Sequence, residues 1–440
     1  MIAGVSPLVS ELKARAEAGR TVTIGLAGCG QMGTDIMVQL NRMPGLRLGA
    51  VAEMRPPQAR AAAAMAGFTE DHTTYADTPA AIDAAIEKGL IAVTSDPAVL
   101  ARSGRIDVVI DATGNPNTGT QFALEAIANG KHVVMLNVEA DITIGRHLHQ
   151  AAKAAGVVYT GAAGDEPAAT LELIGFAQSI GLEVVCAGKG KNNPLKWDAV
   201  PADYEAEAKA RNMNARMLVE FVDGSKTMVE MVAIANCTGL VPDVPGMHGP
   251  AATRDELASV LIPKADGGVL SKKGCVDYSI GKGVAPGVFC IVTTDHPRLQ
   301  ERLIDLKVGK GPYFALTRPY HLTSLEVPLS AARAVLHGQA DMVPLEQPVA
   351  ECVTLAKRDL SPGEILGRIG EIDYRAWAMT HAEARNANAV PLGLAQGAKV
   401  LKPIKAGERL TYDNCAPDDS LLVTQIRRRL DQADTRFHAL

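Results

Sequence analysis

A β-branched, apolar run, Val22-Thr-Ile-Gly-Leu-Ala27, leads straight into Gly28-Cys-Gly30-Gln-Met-Gly33. The residues beyond it, Thr34 to Leu40, space their apolar members as a helix does. This order demands a strand, a tight turn and a helix. Gly28 permits the turn, Gly30 lets the backbone come close to a pyrophosphate, and Gly33 lets helix and strand pack closely. The helix start at Gln31 and Met32 would offer unpaired N–H groups and the positive end of its dipole to phosphates. A plain glycine-rich turn is the bland alternative, and the surroundings argue against it. A second apolar strand, Leu46 to Ala52, ends on Glu53, where a carboxylate can accept hydrogen bonds from a ribose diol. A third strand, from Ile106, ends in the small-residue loop Ala112-Thr113-Gly114, suited to border a nicotinamide, and Gly130 to Asn137 supplies another strand closing on Asn137. Strand and helix alternate as a doubly wound sheet requires. Residues 1–155 are therefore expected to form a Rossmann domain that binds NAD(H) or NADP(H). Glu53 would repel a 2′-phosphate and favours NAD(H); Arg55 could pair with that phosphate and favours NADP(H).

A chain of 440 residues is too long for one ordinary core. At 47% hydrophobic and 21% charged residues it has a globular balance, and a net charge of −5 argues against nucleic acid as a partner. No apolar run approaches the ~18–20 residues needed to span a bilayer, and Met1 to Arg20 is a charged, amphipathic stretch without a signal-peptide core. Seven scattered cysteines, Cys29, Cys186, Cys237, Cys275, Cys290, Cys352 and Cys415, form no CxxC pair. They suit buried thiols in a reducing cytoplasm.

The chemistry is expected in residues 156–345. Val157-Val-Tyr-Thr-Gly-Ala-Ala-Gly-Asp-Glu-Pro167 reads as a strand, a loop and the start of a helix from Ala168 to Ser179, with Pro167 in its first turn. Asp165 and Glu166 either cap that helix or hold a divalent metal or a substrate hydroxyl. Val184-Val-Cys-Ala-Gly-Lys-Gly-Lys-Asn-Asn-Pro194 is a strand running into a loop that carries Lys189, Lys191, Asn192 and Asn193 and no acidic residue, as an anionic substrate would require. Lysines at such a strand end polarise carbonyls, donate protons or bind phosphate. Two further Gly-Lys-Gly triplets centre on Lys282 and Lys310, where glycines favour anion-binding nests. The stretch after the second adds Arg318, able to fork onto a phosphate, and Tyr320, His321 and Thr323, of which Tyr320 or His321 could move protons. His248, in a glycine- and proline-rich loop, is a weaker candidate, and His147 and His149, two apart on an expected helix, make a poor metal pair. Asp223-Gly224, between two apolar runs, signals a β-hairpin.

Residues 346–440 contain two similar phrases, Leu360-Ser-Pro-Gly-Glu-Ile-Leu366 and Ile404-Lys-Ala-Gly-Glu-Arg-Leu410. They resemble an SAF domain, the small β-clip module of antifreeze-like proteins and sugar-acid enzymes. The glycine fingerprint, Gly164-Asp-Glu-Pro167, Gly188-Lys-Gly-Lys-Asn-Asn-Pro194, Tyr278-Ser-Ile-Gly-Lys-Gly283, Arg318-Pro-Tyr-His-Leu-Thr-Ser-Leu-Glu-Val-Pro328 and this terminal module follow one another in an order that resembles the second type of 1-deoxy-D-xylulose 5-phosphate reductoisomerase-like enzymes. Their architecture is related to that of homoserine dehydrogenases. The resemblance implies a Rossmann domain, an α+β catalytic and dimerisation domain and a β-clip, assembled as a homodimer. It also implies NADPH-dependent reduction of an aldehyde formed by rearranging a phosphorylated ketose, with Mg²⁺ or Mn²⁺ as a candidate metal. The lysines and Arg318 would hold the phosphate, and Asp165 and Glu166 would organise the diol or the metal. Asn137-Val138-Glu139 departs from the Asn-Lys of homoserine dehydrogenases and counts against homoserine. The rival readings are an NAD-dependent dehydrogenase of a sugar acid, polyol or homoserine-like substrate, and a non-catalytic NAD-binding metabolite sensor. Lys189, Lys191, Arg318 and His321 form a set richer in acid–base groups than a sensor needs.

Overall fold

A computed structural model describes residues 6–211 and 213–437. They fall into two compact units, Met1–Asp165 with Leu322–Val343, and Glu166–His321 with Pro344–Leu440. Edges at 155 and 345 are expected from the sequence; the units divide the chain differently, because a strand beyond 155 completes the first sheet and the last hundred residues cluster with the middle stretch.

The first unit is built on seven strands: β1 (Val22–Ala27), β2 (Leu46–Ala52), β3 (Thr73–Tyr75), β4 (Ile91–Thr94), β5 (Val108–Asp111), β6 (His132–Met135) and β7 (Tyr159–Gly161). Their order is β3-β4-β2-β1-β5-β6-β7, and every pairing is parallel. The chain runs outward from β1 on one side and resumes at β5 on the other, which opens a crevice at the carboxyl ends of these two strands. All residues of β1 are buried, as a parallel strand covered on both faces requires. Helix Thr323–His337 returns to this unit late in the chain. It places Val327, Ala331 and Ala332 in one core with Ile24, Leu26 and Ile36, and Ser324 donates to Asp35 at 3.2 Å.

The second unit contains a mixed sheet of β8 (Glu183–Gly190), β9 (Val241–Pro242), β10 (Cys275–Ser279), β11 (Val288–Thr293) and β12 (Tyr313–Arg318), in the order β12-β11-β8-β10-β9. β8 lies parallel to β10 and antiparallel to β11. Helices Glu166–Ser179 and Ser225–Thr238 pack against this sheet and against each other. The expected hairpin at Asp223-Gly224 is not a hairpin. Ala215–Val222 and Ser225–Thr238 are helices, and Gly224 joins them at φ +79°. Leu218, Val219 and Val222 are spaced for a helix face, and the buried run from Thr227 to Asn236 is long enough for a helix enclosed by its neighbours. The strand-like alternation of a few β-branched residues is therefore a poor guide.

At the end of the chain β13 (Ala350–Ala356) pairs antiparallel with β14 (Tyr374–Thr380). The two similar phrases also pair with each other: Leu360 and Ile404 exchange backbone hydrogen bonds of 2.8 and 3.0 Å. Each phrase turns through a left-handed glycine, Gly363 or Gly407, and closes when the following glutamate accepts from a backbone N–H. Ser361 N–H donates to Glu364 at 2.6 Å, and Lys405 N–H donates to Glu408 at 2.8 Å. The repeat seen in the sequence is thus a repeat of backbone geometry.

Candidate functional site

In the first unit the glycines take up the roles their spacing demands. Gly28 has φ +96°, and a Cβ there would lie 2.6 Å from the Ala112 carbonyl oxygen, so the loop after β1 touches the loop after β5. A Cβ on Gly33 would lie 2.0 Å from the Gly28 oxygen, whereas one on Gly30 would meet nothing within 4 Å. Helix Gln31–Leu40 begins at Gly30 with no side chain on its first N–H groups. Open space and bare donors at a helix start are what a pyrophosphate needs. Glu53 follows β2 and accepts from the Cys29 N–H at 3.1 Å and the Arg55 N–H at 3.3 Å, leaving carboxylate lone pairs for a diol. Arg55 and Gly114 are exposed, and Thr113 donates its backbone N–H and hydroxyl to Asp111 at 2.9 and 2.7 Å. Asn137 is buried. Its amide donates to Asp111 at 3.2 Å and to the Asn115 carbonyl at 2.9 Å, and its oxygen caps helix Val138–Ala155. That network braces the loop rather than leaving Asn137 free for a ligand.

In the second unit, Lys189 on β8 is buried between two carboxylates. Its ammonium donates to Glu166, at the head of helix Glu166–Ser179, at 2.5 Å, and to Glu230 on helix Ser225–Thr238. His321 Nε2 lies 3.4 Å from Glu166, and Lys226 Nζ lies 3.9 Å from Glu230. Burial alone would raise the Glu166 carboxyl; Lys189, with His321 and Lys226 behind it, overcomes this and holds it well below the usual carboxylate range. Burial likewise opposes the charge on Lys189, and the two carboxylates more than offset it, holding the ammonium well above its ordinary value. Lys189 stays protonated: it can stabilise charge but cannot serve as a base at neutral pH.

Lys191, two residues on, is buried in a different setting. It donates to the carbonyls of Asn193 and Phe221, both at 2.7 Å, and touches no carboxylate within hydrogen-bond range among the described residues. Burial first, and repulsion from Lys189 second, bring its ammonium down to about 8. A proton on Lys191 is therefore available near neutral pH.

Several of the remaining expected residues stand apart from Lys189 or are held by other partners. Asp165 is buried at the end of the first unit. Arg318 donates to Glu172 at 2.9 Å and lies 5.0 Å from the Tyr320 ring, so its charge is already matched. Asn192 and Lys282 are exposed, and Asn193 is half-buried. Lys282 follows β10 at the same end of the sheet as Lys189, because Tyr278 is in register with Lys189. Lys310 precedes β12, whose first residue pairs with Thr293 and whose last pairs with Val288 opposite Lys189. It sits a strand length away, roughly 20 Å at ~3.3 Å per residue, and cannot join Lys189 in one site. His248 donates its backbone N–H to Asp277 at 3.1 Å and shares a 2.8 Å contact with Asp243, a bracing role. All seven cysteines are free thiols, and six are buried.

Two family models match. Residues 28–160 match the NAD-binding domain of homoserine dehydrogenase, and residues 164–327 match the catalytic domain described as "Oxidoreductase DRL". The chain is an NAD(P)-dependent oxidoreductase. No curated protein matches it. Solved structures similar to it include a probable dehydrogenase from Thermotoga maritima, 15% identical over 73% of this chain and 91% of that one, with a TM-score of 0.42. A putative myo-inositol dehydrogenase from Sinorhizobium meliloti 1021 is 16% identical over 72% and 90%, with a TM-score of 0.39. Scyllo-inositol dehydrogenase from Lactobacillus casei, with bound NAD(H) and scyllo-inositol, is 15% identical over 68% and 76%, with a TM-score of 0.34. At these scores they carry no weight for substrate or mechanism. Neither family match extends past residue 327 or names an isomerised substrate. Among the described residues, no helix of the oxidoreductase is long and apolar enough to cross a membrane.

Glu230 and Lys226 escape a reading of the sequence because their segment resembles a hairpin strand. Their i, i+4 spacing on a helix is the available signal.

Proposed function

We propose that this oxidoreductase is a reductoisomerase-like enzyme that reduces, with NADPH, an aldehyde formed by rearranging a small phosphorylated ketose. The observation that carries the reading is the pairing of two buried lysines of opposite character. Lys189 is locked as a cation by Glu166 and Glu230, and Lys191 is held near 8 by burial and by Lys189. When bound, the nicotinamide supplies hydride to the carbonyl carbon. Lys191 gives its proton to the oxygen that becomes the alcohol, and the fixed charge of Lys189 keeps the Lys191 ammonium ready to release it. His321 shares Glu166 with Lys189 and so tunes how strongly that carboxylate holds the ammonium. Asn192, Asn193 and Tyr320 are exposed or half-buried donors for substrate hydroxyls. Asp165 and Glu166 would hold a divalent cation through oxygen, the donor set that Mg²⁺ and Mn²⁺ take. Because Glu166 already carries the Lys189 ammonium, the cation and Lys189 compete for that carboxylate, and no step is routed through the metal. A homodimer and an anionic small-molecule substrate complete the proposal.

Glu53 favours a second reading, an NAD-linked dehydrogenase of a sugar acid or polyol, since its carboxylate stands beside the glycine loop. The test follows nicotinamide absorbance with NADPH and NADH offered separately, alongside 1-deoxy-D-xylulose 5-phosphate and a divalent metal. Turnover with NADPH supports the reductoisomerase reading. No turnover with either, in protein that binds a dinucleotide, refutes it and favours the polyol or sugar-acid dehydrogenase.

A further inference from the structure

The only two tryptophans in the chain, Trp197 and Trp377, meet edge to face at 5.4 Å, and both hold the same arginine. The guanidinium of Arg375, on β14, lies 4.4 Å from the Trp197 ring centre and 4.7 Å from that of Trp377. Arg375 is 9% exposed, and its buried Nη1 has no hydrogen-bond partner among the described residues. Buried guanidinium donors are nearly always satisfied, so an orphan of this kind calls for an explanation. Aromatic rings fix the plane of the guanidinium through its π face and leave its N–H edge free.

The surroundings are built to this shape. A Cβ on Gly246 would lie 2.2 Å from the Trp377 ring, one on Gly249 2.3 Å from the Tyr278 ring, and one on Gly224 2.9 Å from Leu195 and 3.1 Å from Trp197. Three left-handed glycines thus let the backbone close on these rings. Asp223 is the acid whose field reaches Arg375, Lys191 and Lys357 alike, and it is already held by Lys357 at 2.6 Å and by the Ser225 N–H at 2.9 Å. Asp223 thus reaches Arg375 through its field while its hydrogen bonds are made to Lys357 and Ser225. Tyr278, the other group in the field of Arg375, stands in register with Lys189. Trp197 is carried by the loop that follows Lys191, so the arginine clamp and the proton-donating lysine are ends of one segment packed in one unit.

We propose that Arg375 is the oxyanion anchor of the catalytic unit, its free N–H edge receiving the phosphate or carboxylate end of the substrate. Arg318 has Glu172 and Lys189 has two glutamates; Arg375, like Lys191, has no carboxylate within hydrogen-bond range among the described residues. A residue beyond the matched catalytic domain then completes the binding site, which makes the terminal module part of the active unit. As a statement about substrate the inference rests on the proposed function, but the anion site itself stands or falls alone.

The test uses the full chain and inorganic phosphate, with acetate as the carboxylate arm and sodium chloride matching ionic strength. Tryptophan fluorescence is read first, because both fluorophores flank the guanidinium. Wild type is expected to give a saturable change with phosphate and a rise in Tm; Arg375→Lys and Arg375→Met are expected to lose at least ten-fold in affinity while still binding NADPH. A response to acetate alone supports the anchor and assigns it a carboxylate. Absence of any saturable response in wild type, with and without NADPH, overturns the proposal. So does an unchanged phosphate effect on Tm in folded variants, which would leave Arg375 a stacking residue. If 1-deoxy-D-xylulose 5-phosphate is not turned over yet phosphate binds through Arg375, the proposed function fails and the anchor survives. If it is turned over with the same KM in Arg375→Lys, the anchor fails and the function survives.

Discussion

Replacing Lys189 with methionine tests the Glu166–Lys189–Glu230 triad most directly, because it keeps the chain's volume and removes only the charge. Lys189 is 6% exposed, Glu166 6% and Glu230 fully buried, so water cannot replace the lost ammonium. Removing one partner of a buried pair typically costs about 3–5 kcal/mol, mainly the penalty of the uncompensated charge left behind. Lys226 at 3.9 Å and His321 at 3.4 Å remain, which places the expectation near the lower end, about 3 kcal/mol at pH 7.5. The pH dependence is sharper than the magnitude. In wild type the Glu166 carboxyl is depressed, so its stabilisation is fully present above its unfolded value near 4.5 and is lost only as pH falls through the folded value. In Lys189→Met two carboxylates share a dry site without their cation, which raises at least one of them. A raised carboxyl carries its penalty at high pH and sheds it as the group takes up a proton, each tenfold gain in proton affinity being worth about 1.36 kcal/mol. The gap between variant and wild type should therefore shrink from pH 7.5 to pH 5.5. Urea unfolding followed by tryptophan fluorescence reads it, since Trp197 and Trp377 both lie in the second unit. A loss below about 1 kcal/mol, or a gap that is flat or widens as pH falls, would refute the triad.

Lys191→Ala should lower kcat by about 10²–10⁴ with NADPH affinity unchanged, as expected for a general acid. In wild type, activity should fall as pH rises through about 8, where Lys191 gives up its proton, and a steady-state pH profile reads this. Gly33→Ala should lower both Tm and dinucleotide affinity, because its Cβ would meet the Gly28 oxygen at 2.0 Å; Gly30→Ala, with open space around its Cβ, should keep Tm and weaken only the dinucleotide, measured by titration calorimetry. Lys310→Ala should leave kcat and KM unchanged, since Lys310 lies at the far end of the sheet.

What is legible in the sequence and what is not separate along a physical line. β1 and its glycines can be read because tight turns and close backbone approach admit few residue types, so Gly28 and Gly33 announce local geometry that the Ala112 and Gly28 oxygens then enforce. The repeat around Gly363 and Gly407 is legible for the same reason: turn chemistry is written within four residues. Long-range pairing is not. Lys189 and Lys191 look equivalent in Gly188-Lys-Gly-Lys-Asn-Asn, and only the fold decides that one meets Glu166 and Glu230 while the other meets two carbonyls. The two lysines stand only two residues apart in one glycine-rich phrase, so sequence gives no hint that their ammonium groups are driven in opposite directions. Arg375 escapes notice for a related reason. Its two tryptophans, Trp197 and Trp377, are far apart in the chain, and no spacing rule links them. The residues hardest to find are those whose charge is decided by partners distant in sequence, and that class also contains the groups to which catalysis and anion binding are assigned.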